Sequence, residues 1–260
     1  INLAWVYQNK NDFAKAKQLY EQAIGIWKDF LGSEHPKVST GYGHLSDLYL
    51  DAGDFENAYR YLYRTLDLDS KIIDQVMGFT SQDQKLKYMA ENKWSLYQLL
   101  YVVDRHFRDD PSKRKEVFNV WLQRKGSILE VQKRYQETIF QFGDSQSAEI
   151  FKELSAVRNR LSKMAFSIPE EGEFQSYKKK HTDLRNQKEK LEAKLSRVSR
   201  DFATKQKISK ADSEMVERIL PVGTVLLEFA RIESGSLKNE SITDRYICFA
   251  LHAGNTKQIK

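Results

Sequence analysis

Fifteen residues near the start of the chain, Asn2 to Ala16, return between His44 and Ala58 at an offset of 42 residues. Leu3 recurs as Leu45, Tyr7 as Tyr49, Asp12 as Asp54, Phe13 as Phe55 and Ala16 as Ala58. A fixed period of this size predicts stacked helical pairs, because one pair cannot bury its apolar face and the next must cover it. Small residues at Ala4 and Ser46, and at Ala16 and Ala58, let the two helices of a pair approach closely. Tyr7, Tyr49, Phe13 and Phe55 then fill the space between pairs. Gly53 suits a tight turn, and Asp12 and Asp54 suit helix N-caps. The first expectation is therefore a binding scaffold.

Composition agrees with long helices and much surface. Of 260 residues, 40% are hydrophobic and 30% charged, with only four prolines and twelve glycines to interrupt helix. No apolar run reaches the roughly 18 residues of a membrane span, and no basic-then-apolar leader opens the chain. The expectation is a soluble, cytoplasmic protein with no membrane contact. Ile1 stands where a methionine would, and Asn2 already lies inside the first repeat helix, so a fragment is expected. The single cysteine, Cys248, excludes an internal disulfide and a multi-cysteine zinc site. Net charge is +6, and the stretch from Glu173 to Arg200 holds nine Lys and Arg against four acids. Lys178, Lys179, Lys180 and Arg185 head this possible basic contact face. Interleaved acids and the lack of an aromatic stacking platform favour a solvated helix face over a nucleic-acid site.

Beyond the repeats, at 1–70, helical periodicity persists. Leu86, Met89, Lys93, Leu96, Leu100, Val103 and Phe107 form one stripe, ending before Asp109-Asp110-Pro111. A second helix is predicted from about Lys113 to Gln141, with Val117, Trp121, Lys125, Ile128, Gln132, Tyr135 and Ile139 in line and Gly143 as its stop. These make an irregular helical-repeat extension over 71–143. A hairpin with coiled-coil-like heptads follows over 144–217. Ile150, Leu154, Val157, Leu161 and Met164 mark its first helix, and Ser167 to Gly172 break it. Phe174, His181, Lys188, Leu195 and Phe202 share one heptad position of the return helix, with Tyr177, Leu184, Leu191 and Val198 at the other. His181 and Lys188 interrupt this apolar seam. At Leu220-Pro221-Val222-Gly223 the pattern turns to strand: Thr224 to Ile232 and Arg245 to Leu251, joined by a polar loop from Glu233 to Glu240. Two strands alone are marginal, so the sheet is expected to continue beyond Lys260, leaving 218–260 as an incomplete domain.

The repeat segment resembles long-period tetratricopeptide repeats of the kinesin light chain kind. The matching residues are Leu3, Ala4, Tyr7, Asn11-Asp12-Phe13, Ala16, Tyr20 and Ala23, then Leu45, Ser46, Tyr49, Gly53-Asp54-Phe55, Ala58, Leu62 and Thr65. Leu31-Gly32-Ser33-Glu34-His35-Pro36-Lys37-Val38 matches their linker, which makes His35 a turn residue. Trp121 to Glu130, Leu191 to Ser196 and Leu220 to Phe229 follow in the order found in proteins with a CHAT domain, a caspase-like module attached to such repeats. The resemblance implies a mainly α chain: a tetratricopeptide-repeat solenoid, long antiparallel helical hairpins, and a short C-terminal β-hairpin beginning a truncated α/β caspase-like domain. It implies the sensing part of a cysteine peptidase whose catalytic His and Cys, in the missing peptidase core, lie outside this fragment. It also implies a protein or peptide ligand in a concave groove lined by Asn2, Trp5 and Asn9 from the first copy and His44, Asp47 and Asp51 from the second. His44 departs from the asparagine the family uses at the position of Asn2.

The residues themselves offer no enzyme chemistry. Cys248 and His252 lie four apart on a predicted strand, roughly 13 Å end to end, so they do not form a thiol and base pair. Flanked by Ile247 and Phe249, Cys248 is expected as a buried small hydrophobe. Gly41-Tyr42-Gly43 lies in a repeat helix and lacks the lysine and serine of a phosphate loop. The five histidines show no metal-ligand spacing, and no cofactor is implied. A non-catalytic adaptor is the alternative reading, with nucleic-acid contact through 178–200 the weaker third.

Overall fold

The computed structural model describes residues 1–76, 93–137, 145–165, 167, 169, 170, 172–198, 212–232, 235–237, 240–242 and 245–254. Within them the order is α1 (Asn2–Asn9), α2 (Phe13–Leu31), α3 (Pro36–Asp51), α4 (Phe55–Val76), α5 (Lys93–His106), α6 (Pro111–Glu137), α7 (Ser145–Ala165), α8 (Phe174–Val198), α9 (Ser213–Ile219) and four strands. The chain is mainly α. The stripe residues Leu86 and Met89, with Gly143 and Phe202, lie outside the described residues, as do the side chains from Ile128 to Ile139.

The repeat chemistry works as its residue types dictate. Asn11 and Gly53 occupy equivalent turn positions and both are left-handed, at φ 60° and 72°, a conformation that glycine and, next, asparagine tolerate best. Asp12 then caps α2 by accepting the Lys15 amide at 3.1 Å, and Asp54 accepts the Asn57 amide at 3.1 Å ahead of α4. Ala4, Ala16, Ser46 and Ala58 are all fully buried. Tyr20, Ile24, Val38, Leu45, Leu48 and Ile72 complete the core of the paired repeats.

α5 and α6 continue the stack as a third, irregular pair. Leu96, Leu100 and Val103 are buried as their spacing predicts, whereas Lys93 at the head of the stripe is exposed. Their core takes Tyr59, Leu62 and Leu66 from α4 on one side and Ala230, Ile232, Phe249 and Leu251 from the sheet on the other. α7 and α8 form the expected hairpin. Ile150, Leu154, Val157, Leu161 and Met164 meet Tyr177, Leu184, Leu191 and Leu195 in a third core, which also receives Leu31 of α2. Arg158 and Glu192 bridge the two helices at 2.5 Å.

β1 (Val225–Ile232) pairs antiparallel with β4 (Arg245–His252), Val225 facing His252. The polar loop expected from Glu233 to Glu240 is more ordered than that. β2 (Gly235–Leu237) and β3 (Glu240–Ile242) pair inside it, Gly235 facing Ile242 in the same register. The backbone ladder extends the hairpin past the point where the apolar alternation stops, because strand pairing needs amides and carbonyls rather than hydrophobic side chains. Cys248 also departs from expectation: it is exposed. The pleat sends Phe249 and Leu251 to the helices, so their neighbours must face outward.

Candidate functional site

The residues expected to line a groove lie on α1 and α3, next to α5. Asn2, Trp5 and Asn9 stand exposed along α1, Trp5 with 54% of its surface open. His44, Asp47 and Asp51 are half-buried on α3, because three further residues hold them. Gln8 Nε2 donates to Asp51 Oδ2 at 2.7 Å, and Tyr20 Oη donates to Gln8 Oε1 at 2.9 Å. Gln98 Nε2 of α5 donates to Asp47 Oδ1 at 2.8 Å. His44 stacks on the Tyr20 ring, centroids 5.4 Å apart and planes within 3°. The groove floor is thus a hydrogen-bonded ladder tying each first helix to the next, α1 to α3 and α3 to α5.

Its electrostatics follow from burial. The Tyr20 phenol is pushed up to about 12 by burial, with Asp47 and Asp51 adding to it, so Tyr20 stays a donor at any ordinary pH. Burial pushes the His44 imidazole down. The result is a face with two half-buried carboxylates held by Gln8 and Gln98 and an exposed indole beside them.

Gln8, Tyr20 and Gln98 were not among the predicted groove residues. The signal for Gln8 was present: the second copy has apolar Leu50 at that position, and a buried glutamine in place of leucine needs partners. Gln98 had no such marker, since α5 lies outside the repeat register.

The basic face divides. Lys178, Lys179 and Lys180 are exposed on α8, while Arg185 reaches back to Glu34 in the α2–α3 connection at 3.3 Å and to Glu189 at 3.5 Å. His35 sits in that connection as the turn residue its sequence predicts, its Nδ1 accepting the Lys37 amide at 3.1 Å to cap α3. Among the described residues no three His, Cys, Asp or Glu side chains converge as metal ligands, and no helix is long and apolar enough to cross a membrane.

Two of the three blocks quoted for the caspase-like resemblance meet in space, while Leu191 and Leu195 lie in the hairpin core. Glu228 of β1 accepts from Trp121 Nε1 at 3.3 Å and pairs with Lys125, both on α6. These residues fasten the sheet to the α5 and α6 pair, which is a structural role.

A family model described as tetratricopeptide repeat matches residues 1–71. This segment carries tetratricopeptide repeats. The match covers both copies of the 42-residue period and all of α1 to α3, with α4 up to Lys71. No curated protein and no solved structure matches the chain significantly. Tetratricopeptide repeats are protein-interaction scaffolds, and the ladder above is the frame of that scaffold here.

Proposed function

We propose that the chain is the partner-binding, regulatory part of a cytoplasmic caspase-like cysteine peptidase of the repeat-plus-CHAT kind, with the catalytic His and Cys outside these residues. One observation carries the reading: the second repeat, the α5–α6 pair and the sheet share a single apolar core, in which Leu62 and Leu66 of α4 lie with Ala230 and Phe249. A peptide seated against Asn2, Trp5, His44, Asp47 and Asp51 thereby touches the rigid frame on which the sheet is mounted. The domain divisions at residues 70, 143 and 217 belong to the same proposal.

The test has two arms. Partner capture by the chain is compared with capture by a Trp5→Ala/Asn2→Ala variant, and loss of the same specific partner in the variant is expected. The coding sequence downstream is then read for a His and a Cys that each close an apolar strand. If both are present and the Cys→Ala protein no longer cleaves that partner or another peptide, the peptidase reading stands. Their absence leaves the adaptor reading.

A nucleic-acid reading finds one supporting observation, the exposed Lys178-Lys179-Lys180 run. It predicts affinity for duplex or single strands that falls steeply with salt. Unchanged binding after charge reversal of these three lysines removes it.

A further inference from the structure

The heptad seam of α8 is broken at His181 and Lys188, and the structure gives the first break a purpose. His181 turns toward the connection between α2 and α3: a Cβ placed on Gly32 would lie 3.9 Å from its Nδ1. About three helical turns of α8, from Phe174 to Arg185, dock here on the repeat module. Arg185 pairs with Glu34, Phe30 packs on Phe174 with centroids 4.6 Å apart, and Leu31 enters the hairpin core. At the centre of the joint lies His35, only 6% exposed. Its Nδ1 is committed as an acceptor to the Lys37 amide, which fixes the neutral tautomer with the proton on Nε2. That Nε2 is buried and faces the Ser167 backbone without a hydrogen bond of ordinary geometry.

A second proton has only Nδ1 to go to, where it removes the helix cap. It also places a cation inside a joint that already holds several charges. Lys37 stands beside His35 on α3, His181 faces it from α8, and Arg185 lies beside His181. Glu34 lies in the connection itself, and Asp67 and Lys71 of α4 sit behind Glu34 and Arg185. The α7 end contributes the Ser167 backbone. The charged imidazole therefore meets the Lys37 ammonium, while the nearby carboxylate, Glu34, is already paired with Arg185.

We propose that this joint is a proton-operated latch: the α7–α8 hairpin stays docked on the first repeat while His35 is neutral, and lets go when His35 takes a second proton. Burial first, then Lys37, push the His35 imidazole down to about 4, with His181 adding to this and the Ser167 backbone opposing it. His181 is also pushed down, by burial first, with Glu34 opposing and Arg185 adding. The sign follows. A histidine held below its ordinary range stabilises the docked state fully above about 6.5, and that stabilisation drains away as pH falls toward 4. Over that window His35 alone weakens docking by up to about 100-fold. The latch turns on the placement of His35 in the joint and is independent of any groove ligand.

The test uses the full chain with Cys248→Ser and spin labels on cysteines placed at the exposed Gln22 of α2 and Asn186 of α8. The expected result is a single distance at pH 7 that broadens and lengthens between pH 6 and 4. His35→Asn keeps a capping oxygen and cannot titrate, so its distance should stay fixed over the same range. A wild-type distance that does not change, or a His35→Asn protein that opens at the wild-type midpoint, would each overturn the latch.

Discussion

Two glycines in α3 set local propensity directly against packing. Gly41 and Gly43 are two residues apart in one helix, where glycine costs about 1 kcal/mol relative to alanine. Propensity alone therefore predicts that alanine at either position stabilises the protein equally. The surroundings differ. A Cβ on Gly43 meets nothing within 4 Å, whereas a Cβ on Gly41 would stand 2.5 Å from Ile24 Cγ1, 3.1 Å from its Cδ1 and 3.3 Å from Trp27 Cζ3. Cγ1 is no flexible tip, and Ile24 is itself 4% exposed in the repeat core. Relieving the overlap means pushing α3 off α2 or forcing Ile24 from its rotamer, at about 1–3 kcal/mol.

After the propensity gain, Gly41→Ala should destabilise by about 1 kcal/mol while Gly43→Ala stabilises by about 0.5–1 kcal/mol. The difference of roughly 2 kcal/mol corresponds to melting temperatures about 4–8 °C apart for a chain of this size. Thermal unfolding followed by helical circular dichroism reads it, with Trp27 fluorescence reporting on the α2–α3 contact. If Gly41→Ala raises the melting temperature as much as Gly43→Ala does, close approach of these two helices is not what selects glycine there.

Three further outcomes are expected. Leu62→Ala, at a fully buried site in the core shared with the sheet, should cost about 3 kcal/mol and raise hydrogen exchange in α4, α5 and β4 together; Leu154→Ala should expose chiefly α7 and α8. Asp110 caps α6 by accepting the Ser112 and Lys113 amides at 2.9 and 3.1 Å, so Asp110→Ala should lower the urea midpoint by the equivalent of about 1 kcal/mol and Asp110→Asn by much less. Those amide bonds, then the Lys113 ammonium, hold the Asp110 carboxyl below its ordinary range; its contribution is present above that range and is lost as pH falls through the lowered value, a slope that Asp110→Asn should remove. Glu228→Ala leaves the Trp121 indole N–H without its acceptor and should cost about 1–2 kcal/mol, with a red shift in tryptophan emission if the sheet loosens from α6.

What the sequence made legible was whatever repeats. The 42-residue offset located both copies, the tight turn at Gly53 and the caps at Asp12 and Asp54, because each is a local backbone requirement written in one residue type. The heptads of the hairpin were equally plain, and every apolar position assigned to α7 is buried. The groove was legible only at its lip. Gln8 and Gln98 do their work across helices distant in sequence, and a glutamine carries no mark of which carboxylate it will meet. Strands β2 and β3 escaped notice because their pairing is carried by backbone. Cys248 was misjudged because neighbours in a strand face opposite ways, so two apolar flanks imply an outward residue as readily as a buried one.

The same distinction explains how the pieces cohere. α4 has two buried faces: Tyr61, Leu68 and Ile72 belong to the core of the first repeats, while Tyr59, Leu62 and Leu66 belong to the core that reaches the sheet. Trp27 plays the corresponding part on the other side, packing against both the repeat core and the hairpin core. No loop has to carry a signal between modules, since each neighbouring pair shares a side-chain layer, and close-packed layers pass on displacement rather than absorb it. The contacts differ in kind, however. The α4 route is apolar and indifferent to pH, whereas the hairpin is held partly through His35, Glu34 and Arg185, groups whose attraction depends on charge. The hairpin also rests on α4 through α7, so its charged joint and its apolar contacts both reach the helix that carries the sheet.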